Sequence, residues 1–284
     1  MQTVETLDPL RDAVSALRKA GPLALVPTMG ALHDGHLTLV REARKRAANV
    51  AVSIFVNPLQ FGANEDLASY PRPLDRDLEL LAAEGVALVW LPSVEIMYPA
   101  GFATSVSVSG VSDGLDGAAR PGHFDGVATV VSKLFNQVRP DFAFFGEKDW
   151  QQIAVIRRMA RDLDLVRPQA DRIVGVATVR EADGLALSSR NAYLTPEERG
   201  QAAILPQAMR AAIARIEKGD DVATTLTELQ AVLRGGGFVS VDYAELCDAE
   251  SLVPLTRLGA TPARLLVAAR IGRARLIDNM AVGG

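Results

Sequence analysis

Residues 27–36 read Pro-Thr-Met-Gly-Ala-Leu-His-Asp-Gly-His and place His33 and His36 three apart. At that spacing both imidazoles face one side of a first helical turn. The glycines allow close backbone approach, and a helix start presents free N–H groups with a partial positive charge. Imidazolium or neutral imidazole N–H donors aimed at phosphate oxygens suit phosphoryl or nucleotidyl transfer. A bare pair of histidines three apart would be weak evidence, and its setting in a Gly-rich strand-to-helix segment is what favours phosphate chemistry. Zinc fits less well, because helical zinc pairs sit four apart and no acidic or cysteine cluster accompanies these two.

Three further segments carry donors. Asn57 and Gln60 follow the apolar run Ser53–Val56, and amides read small polar ligands by donating and accepting. Gly146-Glu147-Lys148-Asp149-Trp150-Gln151-Gln152 brings a point charge at Lys148, an acid at Asp149 placed to cap a helix, and Gln152 one turn on. Leu187-Ser188-Ser189-Arg190-Asn191 sets two hydroxyls beside a guanidinium, a phosphate clamp in the right context and a polar loop otherwise. Arg120–Phe124 is similarly ambiguous. Gathering His33, His36, Lys148 and Arg190 in one cleft of an otherwise acidic chain focuses positive potential, which fits a polyphosphate substrate.

The elements that must position these groups follow from hydrophobic pattern. Asp8 and Pro9 resemble a helix N-cap and first turn, ahead of Leu10, Val14 and Leu17 at helical spacing. Leu23–Val26, Val50–Val56, Val86–Leu91 and Asp141–Phe145 are strand-like. A helix is expected from near His36, another through Leu74, Leu78 and Leu81, another over Val127–Val138, and another over Trp150–Leu163. Alternation of this kind predicts an α/β class with crossover connections and a mostly parallel sheet. Ligands of such sheets bind beyond the carboxyl ends of the strands, where the motif loops fall.

After about Arg172 the pattern changes. Ile173–Val179 is strand-like, Asp183-Gly184 signals a turn, and Thr195-Pro196 with Glu198 signals a capping-box helix start. A helix near Val222–Leu233 ends at three glycines, and strand-like runs follow over Val239–Leu246, Arg264–Ile271 and Arg275–Ile277. The expectation is residues 1–177 as a Rossmann-like parallel-sheet domain, with residues 178–284 as a smaller α+β domain forming a lid. The polar stretch Gln60–Tyr70 is a second lid candidate.

Composition sets the remaining bounds. The 284 residues suggest about two domains at roughly 150 residues each. A hydrophobic share of 49% and a charged share of 23% disfavour disorder and coiled coil. A net charge of -4 lacks the basic excess of a nucleic-acid-wrapping protein. No run approaches the ~20 apolar residues of a membrane span. Acidic residues stand where a signal peptide would place its apolar core, and Cys247 alone forms no intrachain disulfide. These features are expected of a cytoplasmic protein with no nucleic-acid or membrane partner, in which Cys247 is a core residue.

Taken in order and spacing, the four segments, together with GHFDGVATVVSKLFN at 122–136, resemble the pantoate–β-alanine ligase (pantothenate synthetase) family, within the HxGH nucleotidylyltransferase superfamily. The resemblance runs from Pro27 to Leu194 and continues weakly through Val241–Tyr243 and Leu276–Asn279. It implies condensation of pantoate with β-alanine, with ATP and Mg²⁺, through pantoyl adenylate. It implies ATP contacts at Met29, Gly30, Ala31, Leu32, His33, Asp34, Gly35 and His36, at Gly146, Glu147, Lys148 and Asp149, and at Val179, Leu187, Ser188, Ser189 and Arg190. Among these His36, the family's proton donor, and His33 and Lys148 are the catalytic group. Pantoate and β-alanine fall to Gln60, Gln152 and Asn57. The resemblance further implies a homodimer and no dedicated metal cage, with Asp77 an outer candidate for Mg²⁺. Asp34 and Leu187 replace the Glu and Met of many members, both mild changes. A nucleotidylyltransferase of the same superfamily and a non-catalytic nucleotide sensor are the competing readings.

Overall fold

Short, apolar β-branched runs build the first sheet. In this computed structural model, which describes residues 1–62 and 67–283, the strands are β1 (Gln2–Val4), β2 (Leu23–Thr28), β3 (Asn49–Ile54), β4 (Leu88–Trp90), β5 (Phe142–Gly146) and β6 (Ile173–Val176). All pair in parallel, in the order β1-β4-β3-β2-β5-β6. The interior strands are buried on both faces, as their unbroken apolar sequence requires. Helices α1 (Leu7–Ala20), α6 (His123–Val138) and α7 (Trp150–Asp162) cover one face. Helices α2 (Asp34–Arg46) and α3 (Leu74–Ala83) cover the other. Two one-turn helices, α4 (Val94–Met97) and α5 (Asp116–Ala119), lie in the connection to α6.

Strand order decides where a ligand goes. From β2 the chain steps outward through β3 and β4, then returns to add β5 on the other side of β2. The β2/β5 boundary is therefore the topological switch point, and a crevice opens there above the carboxyl ends. Register places Ala24 beside Phe142 and Leu25 beside Ala143, so the loops leaving Thr28 and Gly146 emerge side by side.

The remaining chain forms α8 (Pro196–Ala202), α9 (Ile204–Glu217), α10 (Val222–Gly235) and the antiparallel sheet β7 (Ser240–Asp248), β8 (Ala263–Ile271) and β9 (Ala274–Val282). Thr195 and Glu198 make the expected capping box at α8. Leu205, Met209, Leu229, Leu265 and Val267 belong to a separate core between these helices and this sheet. Each fully buried side chain of this kind contributes about 1.5–3 kcal/mol. Cys247 is fully buried, and burial pushes its thiol up to about 12, as an inert core residue.

Several boundaries differ from the sequence reading. Helix α1 begins at Leu7 after Thr6, so Asp8 is already helical and caps nothing. Helix α2 begins at Asp34, two residues before His36. Strand β6 pairs with β5 in the parallel sheet and ends at Val176, three residues short of the expected Val179. Strand β9 runs on from Ala274 to Val282, well past Ile277. Of the Gln60–Tyr70 lid candidate, residues 63–66 lie outside the described residues. Among the described residues no helix is long and apolar enough to cross a membrane.

Candidate active site

The loop leaving β2 is pinned from a distance. Thr28 Oγ1 donates to the Ser53 carbonyl at 2.9 Å and accepts from the Gly30 N–H at 3.2 Å. Asp77, in the first turn of α3 and 1% exposed, accepts from the Ala31 N–H through Oδ2 and from the Leu32 N–H through Oδ1, both at 2.8 Å. Each carboxylate oxygen thus accepts one backbone N–H, and Asp77 anchors the loop. An amide at this position would turn an NH₂ toward one of those N–H groups. Asp77→Asn is therefore expected to destabilise the protein by about 1–3 kcal/mol, read by urea denaturation; unchanged stability would contradict the anchoring.

Anchoring the loop delivers both histidines to the start of α2. Their ring centroids lie 4.1 Å apart, tilted by 40°. Gly35 is required by this packing, because a Cβ there would sit 2.9 Å from the His33 ring. The His33 N–H donates to His36 Nδ1 at 3.3 Å, so Nδ1 is an acceptor and the ring proton of neutral His36 resides on Nε2. Burial, then His33, then Lys148 hold the His36 pKa down to about 3. Burial and Lys148 lower that of His33 against smaller opposing effects of Asp34 and Asp149. At neutral pH the free protein therefore offers His36 as a neutral hydrogen-bond donor, not as a charged acid.

Lys148 stands on the single 3₁₀ turn Glu147–Asp149 between β5 and α7. Its ammonium is 3.6 Å from Asp149 Oδ1. Asp149 precedes α7 but makes no side-chain cap, so the capping reading is not what the geometry shows.

At the end of β3, Asn57 is 1% exposed and its amide is fully committed. It donates to Gly126 O at 3.1 Å and to Gln60 Oε1 at 3.0 Å, and accepts from Tyr98 Oη at 2.7 Å. Asn57 therefore orients Gln60. Gly126 lets α6 meet the turn at Pro58–Gln60, since a Cβ would lie 2.2 Å from Leu59 O. His123 sits beside this turn, its Nδ1 2.8 Å from the Gln60 carbonyl and its Nε2 3.0 Å from Arg120. Arginine only donates, so Nδ1 carries the proton given to Gln60 O.

After β6 the chain forms a hairpin arm. Asp183-Gly184 turns it, Arg180 pairs with Ala186, and the Leu187 N–H donates to Val179 O at 3.0 Å. Val179 and Leu187 are thereby cross-strand neighbours, with Ser188–Arg190 at the arm's return. Arg180 forks onto Asp278 at 2.7 and 2.9 Å, tying the arm to β9.

One cleft collects most of the expected residues. Met29, His33, Gly35, His36, Asn57, Gln60, Gly146, Lys148, Asp149, Gln152, Val179 and Leu187–Arg190 all line it. Gly30, Ala31 and Leu32 do not; their loop is turned to Asp77. Asp34 is ion-paired outward to Arg41, and Glu147 is paired with the mostly buried Arg264. An apolar wall of Phe55, Phe124, Val127 and Val130 faces the amides. Sequence reasoning missed Asp116 and Tyr243. Tyr243 Oη donates to Asp116 Oδ1 at 3.1 Å, and Arg275 binds the same oxygen at 2.6 Å. Burial, then Asp116, holds the Tyr243 phenol well above its usual range. The weak resemblance at Val241–Tyr243 is the one sequence signal for either group, and the two meet only when the second sheet packs across the cleft.

Known proteins share this arrangement. The family model described as pantoate-beta-alanine ligase matches residues 2–281. The chain belongs to the pantoate–beta-alanine ligase family. A pantothenate synthetase of Novosphingobium aromaticivorans is 67% identical over 284 residues, covering 100% of this chain and 99% of the relative. One from Sphingopyxis alaskensis is 60% identical over the full length of both. The crystal structure of pantothenate synthetase from Thermus thermophilus superposes with a TM-score of 0.90 at 50% identity, covering 99% of each chain. The pantoate-beta-alanine ligase of Francisella tularensis, complexed with beta-gamma ATP and beta-alanine, gives 0.83 at 32% identity, covering 99% of this chain and 97% of that one. The family match therefore includes the parallel sheet, the hairpin arm and the second sheet alike.

Proposed function

We infer that the protein condenses (R)-pantoate with β-alanine at the expense of ATP, releasing AMP and pyrophosphate. A carboxylate is a poor acyl electrophile. Attack of the pantoate carboxylate oxygen on the α-phosphorus expels pyrophosphate and gives pantoyl adenylate. The β-alanine amine then attacks the acyl carbon, AMP departs, and the amine loses a proton. The observation that carries this reading is the meeting of His33, His36 and Lys148 with Gln60, Gln152 and an apolar wall in one switch-point cleft. Donors on one side suit a triphosphate. Amides beside apolar surface suit a small hydroxy acid with a branched carbon core.

In this reading His36 Nε2 and the Lys148 ammonium stabilise negative charge on the phosphoryl oxygens, each such donor contributing on the order of 3 kcal/mol. His33 lies against His36 and binds phosphate. Ser188, Ser189 and Arg190 close on the nucleotide from the hairpin arm. Gln60, oriented by Asn57, and Gln152 read pantoate. Magnesium would arrive on the triphosphate, held by phosphate and water; among the described residues no acidic, histidine or cysteine group of three stands ready to cage it. Residues 178–284 act as the lid domain, because the second sheet lines the same cleft through Tyr243, Leu266 and Asn279. A cytoplasmic homodimer accords with the family resemblance.

Incubation with ATP, pantoate and β-alanine, omitting each in turn, tests the reading. Pantothenate and AMP should form only with all three, and pantoate alone should support exchange of pyrophosphate into ATP. Transfer of AMP onto a phosphate-bearing acceptor with release of pyrophosphate, and no amide, would instead favour the nucleotidylyltransferase, and nucleotide binding without exchange a sensor.

A further inference from the structure

Lys148 stands on a short turn, and a single 3₁₀ turn has little rigidity of its own. Its support comes from the other sheet. Asn279 on β9 is 4% exposed, and its Nδ2 donates to Glu147 O and to Lys148 O, both at 2.9 Å. These two carbonyls flank the Lys148 Cα. On its other side the amide accepts through Oδ1 from Arg264, which has only donors to offer. The amide can therefore sit only one way round, with its NH₂ toward the turn. Arg264 is itself fixed, stacked 3.4 Å from the Trp150 ring centre and paired with Glu147 Oε2 at 3.3 Å. The backbone of Asn279 is held in turn, accepting at its carbonyl from Arg180 at 3.3 Å and donating to Asp278 Oδ1 at 2.8 Å.

Every hydrogen-bonding atom of Asn279 is thus engaged, and the amide fixes both peptide groups around the one lysine that, among the described residues, lines the cleft. Resting on the function inferred above, we propose that Asn279 is a positioning residue for adenylation: it aims the Lys148 ammonium at the phosphoryl group and makes that aim depend on the second sheet being seated. A charge misplaced by about 1 Å can cost on the order of 10²-fold in rate, so the last steps of holding it matter as much as its presence.

Asn279→Asp is the direct test. It keeps the size of the side chain and strengthens its attraction to Arg264, but turns an oxygen toward two carbonyl oxygens. The expected result is a fall of about tenfold to 10²-fold in kcat for pantoate-dependent ATP–pyrophosphate exchange. KM for pantoate should stay within about twofold and the melting temperature within a few degrees. In a Lys148→Ala background the same change should have little further effect, because contacts acting through one group are not additive. If Asn279→Asp does not fold, Asn279→Ala is measured the same way, since it removes the donors without adding repulsion. Wild-type exchange with a folded variant unaffected overturns this proposal alone, as does a full Asn279 effect persisting without Lys148. A wild-type protein lacking pantoate-dependent exchange overturns the functional reading beneath it.

Discussion

Replacing Lys148 by alanine should lower pantoate-dependent ATP–pyrophosphate exchange by about 10²–10³-fold while leaving the fold intact. The two halves of that statement have different causes. Lys148 lines the same cleft as both imidazoles and, after burial, is among the causes that lower their pKa. Its side chain is 19% exposed and its nearest carboxylate, on half-exposed Asp149, is 3.6 Å away. Such a pair contributes at most about 1 kcal/mol to stability, so its loss should scarcely move a denaturation midpoint. A phosphoryl oxygen gaining charge in a poorly hydrated crevice is another matter, because there a fixed ammonium acts with little screening. Lys148→Arg should recover only part of the rate, since a planar fork does not reproduce a point charge at the end of a flexible stem. Near-normal exchange by the alanine variant, measured with saturating ATP and pantoate, would remove Lys148 from the mechanism.

What the sequence makes legible is local. The strand-to-helix segment at 27–36 carries its own turn glycines and its own helix start, and its chemistry follows from adjacent residues. The Asp183-Gly184 turn is equally local, and it is what brings Val179 and Leu187 together as hydrogen-bonded neighbours. The α6 stripe from Val127 to Val138 is periodic enough to declare its buried face. The failures share the opposite property. Asp77 anchors residues 45 and 46 positions earlier in the chain, and nothing near it in sequence announces that role. Asn57 looks like a ligand-reading amide until Tyr98 and Gly126, from elsewhere in the fold, consume it. Strand β1 is three residues long at a sheet edge, too short for a period to show. Strand β6 stops at Val176, short of the expected Val179, because the chain beyond it pairs within the hairpin arm instead. Asp116 belongs to no motif, Tyr243 only to a segment of weak resemblance, and the two meet across 127 positions.

His36→Ala should impair the same half-reaction by about 10²–10³-fold, and the protonation state of the wild-type ring says how. A general acid works best with a pKa near the working pH. His36 has been moved the other way, to about 3, by burial and then by His33 and Lys148. Its Nδ1 is occupied as an acceptor by the His33 N–H, which leaves the neutral ring with a donor at Nε2. The free protein therefore holds a preorganised hydrogen-bond donor that needs no protonation to act. With only three histidines in the chain, a nitrogen-detected titration can follow each. The expected result is a His36 ring that stays neutral and Nε2-protonated from about pH 8 down to about pH 5, well above its folded pKa of about 3. A ring titrating near its ordinary value of about 6.5 would sink the assignment and restore proton transfer. The same displacement has a thermodynamic sign. The unfolded chain's imidazole takes up a proton near 6.5 and the folded one near 3, so between those values the unfolded state binds more protons. Stability contributed by keeping this ring neutral is complete above about pH 6.5 and is lost as pH falls toward 3, a loss on the order of a few kcal/mol. His36→Gln, which cannot titrate, should lose less stability than the wild type between about pH 7 and about pH 4 in urea denaturation. Equal acid losses in the two proteins would mean that the ring is hydrated and titrates freely, and a hydrated ring could not stabilise the phosphoryl charge by preorganisation.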